Sequence, residues 1–245
     1  MIALLADIHG NREALSACLA DAERRGADRY VFLGDIVGYG ADPCWTTDCV
    51  MDHAARGAIV ILGNHDAAAA GAPSSLNETA AEAIAWTRRQ LDDAERKFLE
   101  GLPLSVEDQG RLYVHASAAA PSRWDYILDT PQAQRSFDAT AAAQTFCGHV
   151  HRPALYLLSR TGKLSAFTPT AGVGIPLLTG RRWLAVLGSV GQPRDRNPAA
   201  SYALFEEASN TLTFLRVAYD VATAARKVRE AGLPAVLAAR LEQGY

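Results

Sequence analysis

An acidic side chain and an imidazole directly follow the first apolar run of this 245-residue sequence. The run from Ile2 to Ala6 has the length of a β-strand, and Asp7 and His9 come after it. Side chains two positions apart in an extended chain point to the same face, so Asp7 and His9 aim at one point. A carboxylate oxygen and an imidazole nitrogen at one point form half of a metal site.

Four later apolar runs end in the same kind of residue. Ligands of open α/β sheets bind outside the carboxyl ends of the strands, so these residues are expected to meet at one edge. Five of the six histidines lie in the motifs, too many for histidines that only fill a core. The four later motifs are Gly34-Asp35, Gly63-Asn64-His65-Asp66, Val114-His115 and Gly148-His149-Val150-His151.

The segments between these motifs are predicted to alternate between strands and helices. Apolar residues at helical spacing after Asn11, a suitable N-cap, predict a helix over 12–25. A strand over 30–33 then completes a βαβ unit with parallel strands. Residues 67–76 are small and are predicted to be a loop. The remaining predictions are helices over 43–56, 77–101 (as one or two helices) and 131–143, and strands over 58–62, 111–114 and 145–147.

The sequence pattern changes after residue 153. Short strands separated by Gly, Pro, Asn and Ser predict an antiparallel second sheet, followed by a helical segment over 220–243 that is broken at 232–234. The predicted strands are 154–158, 164–168, 183–188, 201–206 and 211–217. The fold class is therefore α/β, a four-layer αββα sandwich of two mixed sheets flanked by helices. We expect one domain, 1–245, with the metal site at the carboxyl ends of the strands.

Composition excludes several classes of protein. A hydrophobic content of 49% excludes disorder, and a net charge of −3 gives no basic surface for nucleic acid. No apolar run reaches the roughly 20 residues that span a bilayer. The N-terminal run is too short for a signal peptide, so a cytoplasmic location with no membrane partner and reduced cysteines is expected. The sequence leaves open whether the chain forms a homo-oligomer.

The ordered set of motifs resembles that of the calcineurin-like metallophosphoesterases. The resemblance runs from residue 2 to about 195, in family order and spacing. Each motif is weak alone, but the ordered set is highly specific. The segment Gly188-Ser-Val-Gly-Gln-Pro-Arg194 also resembles a loop of the small bacterial and archaeal phosphoesterases, the branch related to diadenosine tetraphosphatases.

This resemblance implies two divalent metal ions. Such a pair lowers the pKa of a bridging water, and the resulting hydroxide attacks phosphorus in line. Mn²⁺ is favoured, while Fe, Zn, Co and Ni are compatible with the same ligands. The resemblance assigns Asp7, His9 and His151 to the first ion, Asn64, His115 and His149 to the second, and Asp35 as the bridge.

His65 has a different implied role. In the family this histidine contacts substrate and can protonate the leaving oxygen as a general acid. The alternative is a structural group beside the metal ligands. Asp66 is expected to brace the turn by accepting backbone N–H hydrogen bonds.

Two departures from the family bear on the substrate. The serine/threonine phosphatases carry Gly-Asp-x-x-Asp-Arg-Gly where this chain has Gly38 and Tyr39, so it lacks both the carboxylate that orients His65 and the phosphate-binding arginine. Protein phosphatase activity of that type is therefore disfavoured. Relatives in the small branch also often have Pro-Arg after Ser117, and this chain does not.

Replacement substrate contacts are open at this stage. Arg194 could bind phosphate in a bidentate manner or pair with Asp195. Tyr39 could stack on a base or leaving group, or serve only packing. The remaining candidates, Arg123, Arg152, Trp124 and Tyr126, are expected to be structural, surface or rim residues.

The sequence therefore predicts a dimetal phosphoester hydrolase acting on a small phosphorylated substrate. A phosphodiester or a nucleotide of the dinucleoside polyphosphate kind is favoured, and the alternative is a broad phosphomonoesterase. A non-catalytic metal-binding scaffold is the other class, since the retromer relative has this fold without the catalytic histidine. The presence of His65 and of all seven implied ligands favours an enzyme.

Overall fold

A computed structural model describes residues 1–73 and 75–245. Within these residues, two six-stranded sheets are flanked by eight α-helices. The strands are β1 Ile2–Leu5, β2 Arg29–Phe32, β3 Ile59–Val60, β4 Ser105–Asp108, β5 Arg111–Val114, β6 Gln144–Cys147, β7 Ala154–Leu158, β8 Leu164–Phe167, β9 Gly174–Pro176, β10 Arg182–Val186, β11 Ala200–Glu206 and β12 Thr211–Val217. The helices are α1 Arg12–Arg24, α2 Pro43–Ala55, α3 Asn64–Ala70, α4 Glu78–Gln90, α5 Asp93–Glu100, α6 Thr130–Asp138, α7 Val221–Glu230 and α8 Ala235–Gln243.

Each sheet contains a parallel group of three strands that ends at the site. The first sheet has the order β3-β2-β1-β11-β12-β9, in which β3, β2 and β1 are parallel. The second has the order β4-β5-β6-β10-β7-β8, in which β5, β6 and β10 are parallel. The other pairs are antiparallel. This is the predicted four-layer arrangement of two mixed sheets.

Three apolar clusters hold the layers together. One face of the first sheet packs on helices that include α1, through Ala3, Leu5 and Leu15. Its other face meets the second sheet through side chains such as Leu4 and Phe146. The outer face of the second sheet packs on α6. Side chains alternate along each strand, so β1 serves both the helical core and the core between the sheets.

The prediction that the strands after residue 153 form one antiparallel second sheet is wrong. Strands β9, β11 and β12 join the first sheet, whereas β7, β8 and β10 join the second. The predicted loop over 67–76 is also partly wrong, because α3 continues through Ala70. Alanine is the strongest helix former, and four alanines follow Asp66 here. The short edge strands β4 and β9 were not predicted.

The last two helices form a hairpin that packs on the first sheet's side of the molecule. They are separated at Gly232-Leu233-Pro234, as predicted. Ala224, Leu237 and Leu241 from this hairpin share an apolar cluster with Tyr39. The hairpin thus supports a residue that lies beside the site. None of the described helices combines the length and apolar character needed to cross a bilayer.

Asp21 connects α1 to β11 and is expected to stabilise the fold. Its carboxylate accepts hydrogen bonds from Arg24 (2.9 Å), Arg25 (2.8 Å) and the buried Tyr202 hydroxyl (2.8 Å). Burial alone would raise the pKa of Asp21, but the hydrogen bonds from Arg25 and Tyr202 outweigh burial and lower it. The stabilisation is therefore present above the unfolded-state pKa and is lost as pH falls through the folded-state pKa.

Asp21→Asn is therefore expected to lower the free energy of unfolding at pH 7 by about 1–3 kcal/mol. The difference from wild type should shrink as pH falls below about 4. Urea denaturation at several pH values measures it. Asp93→Asn is the control, because the Asp93 side chain is fully exposed beside Arg96 and should matter little. Equal losses in both variants would contradict this role of Asp21.

Candidate metal centre

The sequence motifs meet where the parallel strands of both sheets end. Asp7 and His9 follow β1, and Asp35 follows β2. Asn64 and His65 begin α3, four and five positions beyond the end of β3. From the second sheet, His115 follows β5, and His149 and His151 follow β6. All of these residues are buried except Asn64, which is partly buried.

The backbone at these motifs is strained. Ten described non-glycine residues have positive φ, and six of them lie at the site. Such conformations cost roughly 1–3 kcal/mol each and persist where function requires them. Left-handed backbone directly after a strand turns the chain sharply, which brings the side chains of each motif inward. The six are Asp7, His9, Asp35, Tyr39, His149 and His151.

A first group of ligand atoms comprises Asp7, His9 and His151. Their donor atoms all lie within 4.8 Å of one another. The two Nε2 atoms of His9 and His151 are 3.1 Å apart, and Nε2 of His151 is 3.4 Å from Oδ1 of Asp7. One carboxylate and two imidazoles around one point match a divalent-metal site.

A second group comprises Asp35, His115 and His149, again within 4.8 Å. Nε2 of His115 lies 3.1 Å from Nδ1 of His149 and 3.2 Å from Oδ1 of Asn64. The amide oxygen of Asn64 therefore faces the same point as the two imidazoles.

Asp35 connects the two groups. Its Oδ1 accepts the backbone N–H of His65 at 2.8 Å, which fixes the carboxylate. Its Oδ2 is then 3.7 Å from Nε2 of His9 and 3.4 Å from Nε2 of His115. One carboxylate is thus placed between the two groups, as a bridging ligand must be.

Backbone carbonyls set the tautomers of three histidines. Nδ1 of His9 donates to the Val37 oxygen at 3.2 Å, and Nδ1 of His115 donates to the Leu33 oxygen at 2.6 Å. Nδ1 of His151 likewise donates to the Gln192 oxygen at 2.6 Å. In the neutral ring, each Nε2 therefore carries a lone pair that points into the site, the usual arrangement for metal-binding histidines.

These lone pairs require a cation. Burial holds the pKa of His9 and of His151 well below the usual range, so both rings stay neutral. Two neutral Nε2 acceptors 3.1 Å apart cannot hydrogen-bond to each other. A divalent ion between them turns this repulsion into coordination, so the donor set fits a metal.

The charge around Asp35 is consistent with that fit. Burial opposes ionisation of Asp35, but His115, His65 and His9 outweigh it and hold its pKa well below the usual range. Burial lowers the pKa of His115, yet Asp35 outweighs it and raises that pKa to about 9. A metal ion competes with this proton for Nε2 of His115, so metal binding is expected to weaken as pH falls.

His65 lies beside both groups without a hydrogen-bond partner for its ring Nδ1 among the described residues. Its ring is 4.5 Å from the Tyr39 ring and 4.9 Å from that of His9. Gly38 has φ +91°, and a Cβ there would lie 2.5 Å from Nδ1 of His65. The carboxylate that phosphatases place at this position would therefore not fit, and the flanking rings hold His65 instead.

Asp66 braces the turn, as predicted, and also a second loop. One carboxylate oxygen accepts the N–H groups of Ile36 (2.8 Å) and Val37 (3.1 Å), and the other accepts that of Gly63 (3.1 Å). This ties the loop after β2 to the start of α3. The hydrogen bond that the Val37 N–H donates to Asp66 therefore also positions the Val37 carbonyl that orients His9.

A loop after β10 closes the site from the second sheet. Gly191 donates its N–H to the Asp7 carbonyl at 2.9 Å, and a Cβ on Gly191 would lie 1.8 Å from the Ile8 oxygen. Only glycine allows this approach. The loop thereby delivers the Gln192 carbonyl to His151 and places Arg194 at the edge of the site. The carbonyl contacts had no signal in the sequence.

Arg194 does not pair with Asp195, the alternative that the sequence left open, because Asp195 forms its ion pair with Arg216. The Arg194 guanidinium instead lies 5.7 Å from the Tyr39 ring centre and donates to Oε1 of Gln192 at 3.0 Å. Arg194 and Tyr39 are therefore adjacent at the rim of the site.

A cavity of about 470 Å³ opens onto the site. Its walls include Tyr39, His65 and His149 on the metal side, and Trp124 and Tyr126 opposite α3. Tyr126 is at the rim, as predicted, but its ring also stacks on His149 at 4.1 Å. The volume suits a small molecule.

Comparisons with known proteins agree with this geometry. Residues 1–210 match the family model described as the calcineurin-like phosphoesterase superfamily domain. An uncharacterized protein of Methanocaldococcus jannaschii is 36% identical over 250 residues, covering 100% of this chain and 98% of the relative. A metallophosphoesterase crystal structure from Sphaerobacter thermophilus is 37% identical with a TM-score of 0.88, covering 100% and 98% of the two chains. A hypothetical protein from Pyrococcus horikoshii OT3 has the same fold, with a TM-score of 0.78, 21% identity and coverage of 100% and 99%.

Proposed function

This chain belongs to the calcineurin-like phosphoesterase superfamily and is a metal-dependent phosphoesterase, and we propose that it hydrolyses small phosphodiesters or nucleotides at a dimetal centre. Asp35 is the observation that carries the dimetal assignment. Its Oδ2 lies between two groups of three further donors, which are Asp7, His9 and His151 on one side and Asn64, His115 and His149 on the other. A single ion would leave one of these groups of buried lone pairs without a cation.

We assign the ligands as the motifs imply. Asp7, His9 and His151 hold one ion, Asn64, His115 and His149 hold the other, and Asp35 bridges them. We propose Mn²⁺ as the resident metal, because three of the seven ligands supply the carboxylate and carbonyl oxygens that suit it. The four imidazoles leave Fe, Zn, Co and Ni compatible with the same ligands. When bound, such a pair supplies an activated water and neutralises charge on the phosphoryl oxygens.

The chain's own residues position the substrate and handle the proton. His65 is placed to donate a proton to the leaving oxygen, because its ring lines the cavity beside Asp35. Burial lowers the pKa of His65 in the free chain, while an anionic phosphate beside the ring would favour its protonated form. Arg194 and Tyr39 form the rim against which the rest of the substrate lies.

The residues beside Asp35 favour a diester over a monoester. Tyr39 stands at the sequence position of the phosphatase arginine, so the loop after Asp35 supplies no cation to offset the second charge of a monoester. Tyr39, Trp124 and Tyr126 instead present aromatic surface to the cavity, which suits an organic group on each side of phosphorus.

Parallel assays of metal-stripped protein supplied with Mn²⁺ test this function. We expect turnover of bis-p-nitrophenyl phosphate that requires the metal, and lower kcat/KM for p-nitrophenyl phosphate. Both substrates release the same p-nitrophenol, so the ratio reports the exchange of one aryl ester for one negative charge and not a change of leaving group. A ratio in favour of the monoester would support a broad phosphomonoesterase instead. No turnover of either ester by metal-loaded protein would contradict the proposal.

A further inference from the structure

A second cavity, of about 370 Å³, shares the Tyr126 side chain with the first. We call it the arginine–tyrosine groove. Its lining combines cationic, aromatic and aliphatic side chains and contains no acidic residue. The lining residues are Tyr126, Leu128, Val150, Arg152, Arg194 and Tyr245.

Sequence neighbours and a backbone hydrogen bond connect the groove to the metal centre. Val150 and Arg152 flank His151 in sequence, and the Arg194 N–H donates to the His151 carbonyl at 3.1 Å. Tyr126 lines both cavities and stacks on His149. A substrate whose phosphate lies at the metals could therefore extend into both cavities, since Tyr126 lines each of them.

The groove carries unneutralised positive charge. Neither Arg152 nor Arg194 has a carboxylate within 4.0 Å in residues 1–73 and 75–245. The neighbouring carboxylate of Asp195 is paired with Arg216. Nε of Arg194 is also buried without a hydrogen-bond partner in that part of the chain. Two guanidinium groups without a carboxylate partner favour an anion, and phosphate matches their planar donors.

Two tyrosines give the groove a surface for an aromatic ring. The Tyr126 residue is 46% exposed and Tyr245 is 47% exposed. Leu128, which is 53% exposed, extends the apolar part. Phosphate-binding arginines next to open aromatic faces are the combination that binds a nucleotide.

We propose that the arginine–tyrosine groove binds a second, non-reacting phosphate and the base of a nucleotide substrate. This rests on the proposed function, because the reacting phosphate is placed at the metal centre. Arg152 binds the second phosphate together with Arg194, and Tyr245 stacks on the base. Arg152 and Tyr245 thereby select nucleotides with two or more phosphates over simple phosphate esters.

Calorimetric titration of the full chain with ADP and with orthophosphate tests the groove. Orthophosphate is too small to occupy the metal centre and the groove at the same time, so the ratio of its Kd to that of ADP measures what the remainder of the nucleotide contributes. We expect Arg152→Gln to lower this ratio about tenfold, as for a lost charged hydrogen bond. Tyr245→Leu should lower it at least about fivefold, and Tyr245→Phe should restore it, because the phenyl ring still stacks.

Arg160→Gln is the matched control, since Arg160 is exposed and lines neither cavity. On metal-stripped protein, Arg152→Gln and Tyr245→Leu should again weaken the binding of ADP, because the groove does not depend on the metals. An unchanged ratio in Arg152→Gln and Tyr245→Leu, or wild-type protein that binds ADP no tighter than orthophosphate, would overturn the groove. Loss of orthophosphate binding to metal-loaded protein would instead count against the hydrolytic site.

Discussion

Asp35→Asn is expected to lower the turnover of bis-p-nitrophenyl phosphate by about 10³-fold, the scale of losing one group that stabilises developing charge. Asparagine keeps the size of the side chain and can still accept the His65 N–H that Asp35 accepts at 2.8 Å. It removes the negative charge between the two groups of donors. The expected defect is therefore weaker binding of metal, with little change in local shape.

Two measurements separate this defect from misfolding. Far-UV circular dichroism of Asp35→Asn should match wild type, while its metal content after dialysis should be lower. The surface variant Asp93→Asn makes the same change of charge and should keep both metal and activity. An Asp35→Asn protein that keeps its metals and turns over within tenfold of wild type would contradict the bridging role.

His65→Ala is expected to lower kcat by about 10²–10⁴-fold when the leaving group needs a proton. It should have a much smaller effect when the leaving group is stable as an anion. The p-nitrophenyl and methyl esters of one nucleoside 5′-phosphate make this comparison, because they differ only in the leaving group. The His65→Ala substitution should lower kcat far more for the methyl ester than for the p-nitrophenyl ester.

His65→Gln distinguishes proton transfer from positioning. Glutamine can donate a hydrogen bond but cannot transfer a proton, so it should not rescue the methyl ester. Rescue by glutamine, or equal losses on both esters in His65→Ala, would assign His65 to binding alone. Neither result would change the proposed assignment of the metal ligands.

The strand ends were predictable because their signal is local. Asp7 and His9 follow an apolar run, and the order of the five motifs restricts them to one edge of the fold. Helix α1 was equally readable, since the Asn11 side chain accepts the Ala14 N–H at 3.1 Å, as an N-cap should.

The partners of the strands could not be read in the same way. β10 and β11 are both buried apolar runs, yet they lie in different sheets. Their partners depend on long-range packing, which local periodicity does not encode. The helix that begins at Asn64 was hidden for another reason, because its first residues read as a metal motif.

The finer geometry of the site depends on backbone atoms. The carbonyls of Leu33, Val37 and Gln192 orient three histidines, and any residue type could supply a carbonyl. The stacking of Tyr126 on His149 likewise joins residues from separate loops. Sequence spacing therefore indicated which side chains would meet at one edge, but it did not indicate which backbone atoms and rings hold them there.

Titration of metal-stripped protein with Mn²⁺, with bis-p-nitrophenyl phosphate turnover followed at each addition, tests the dimetal centre most directly. We expect turnover to rise and level off at two equivalents of metal per chain, because both groups of donors must be filled. Asp35→Asn should show no such plateau. Full turnover at one equivalent, or two tightly bound ions with no turnover, would contradict hydrolysis at a dimetal centre.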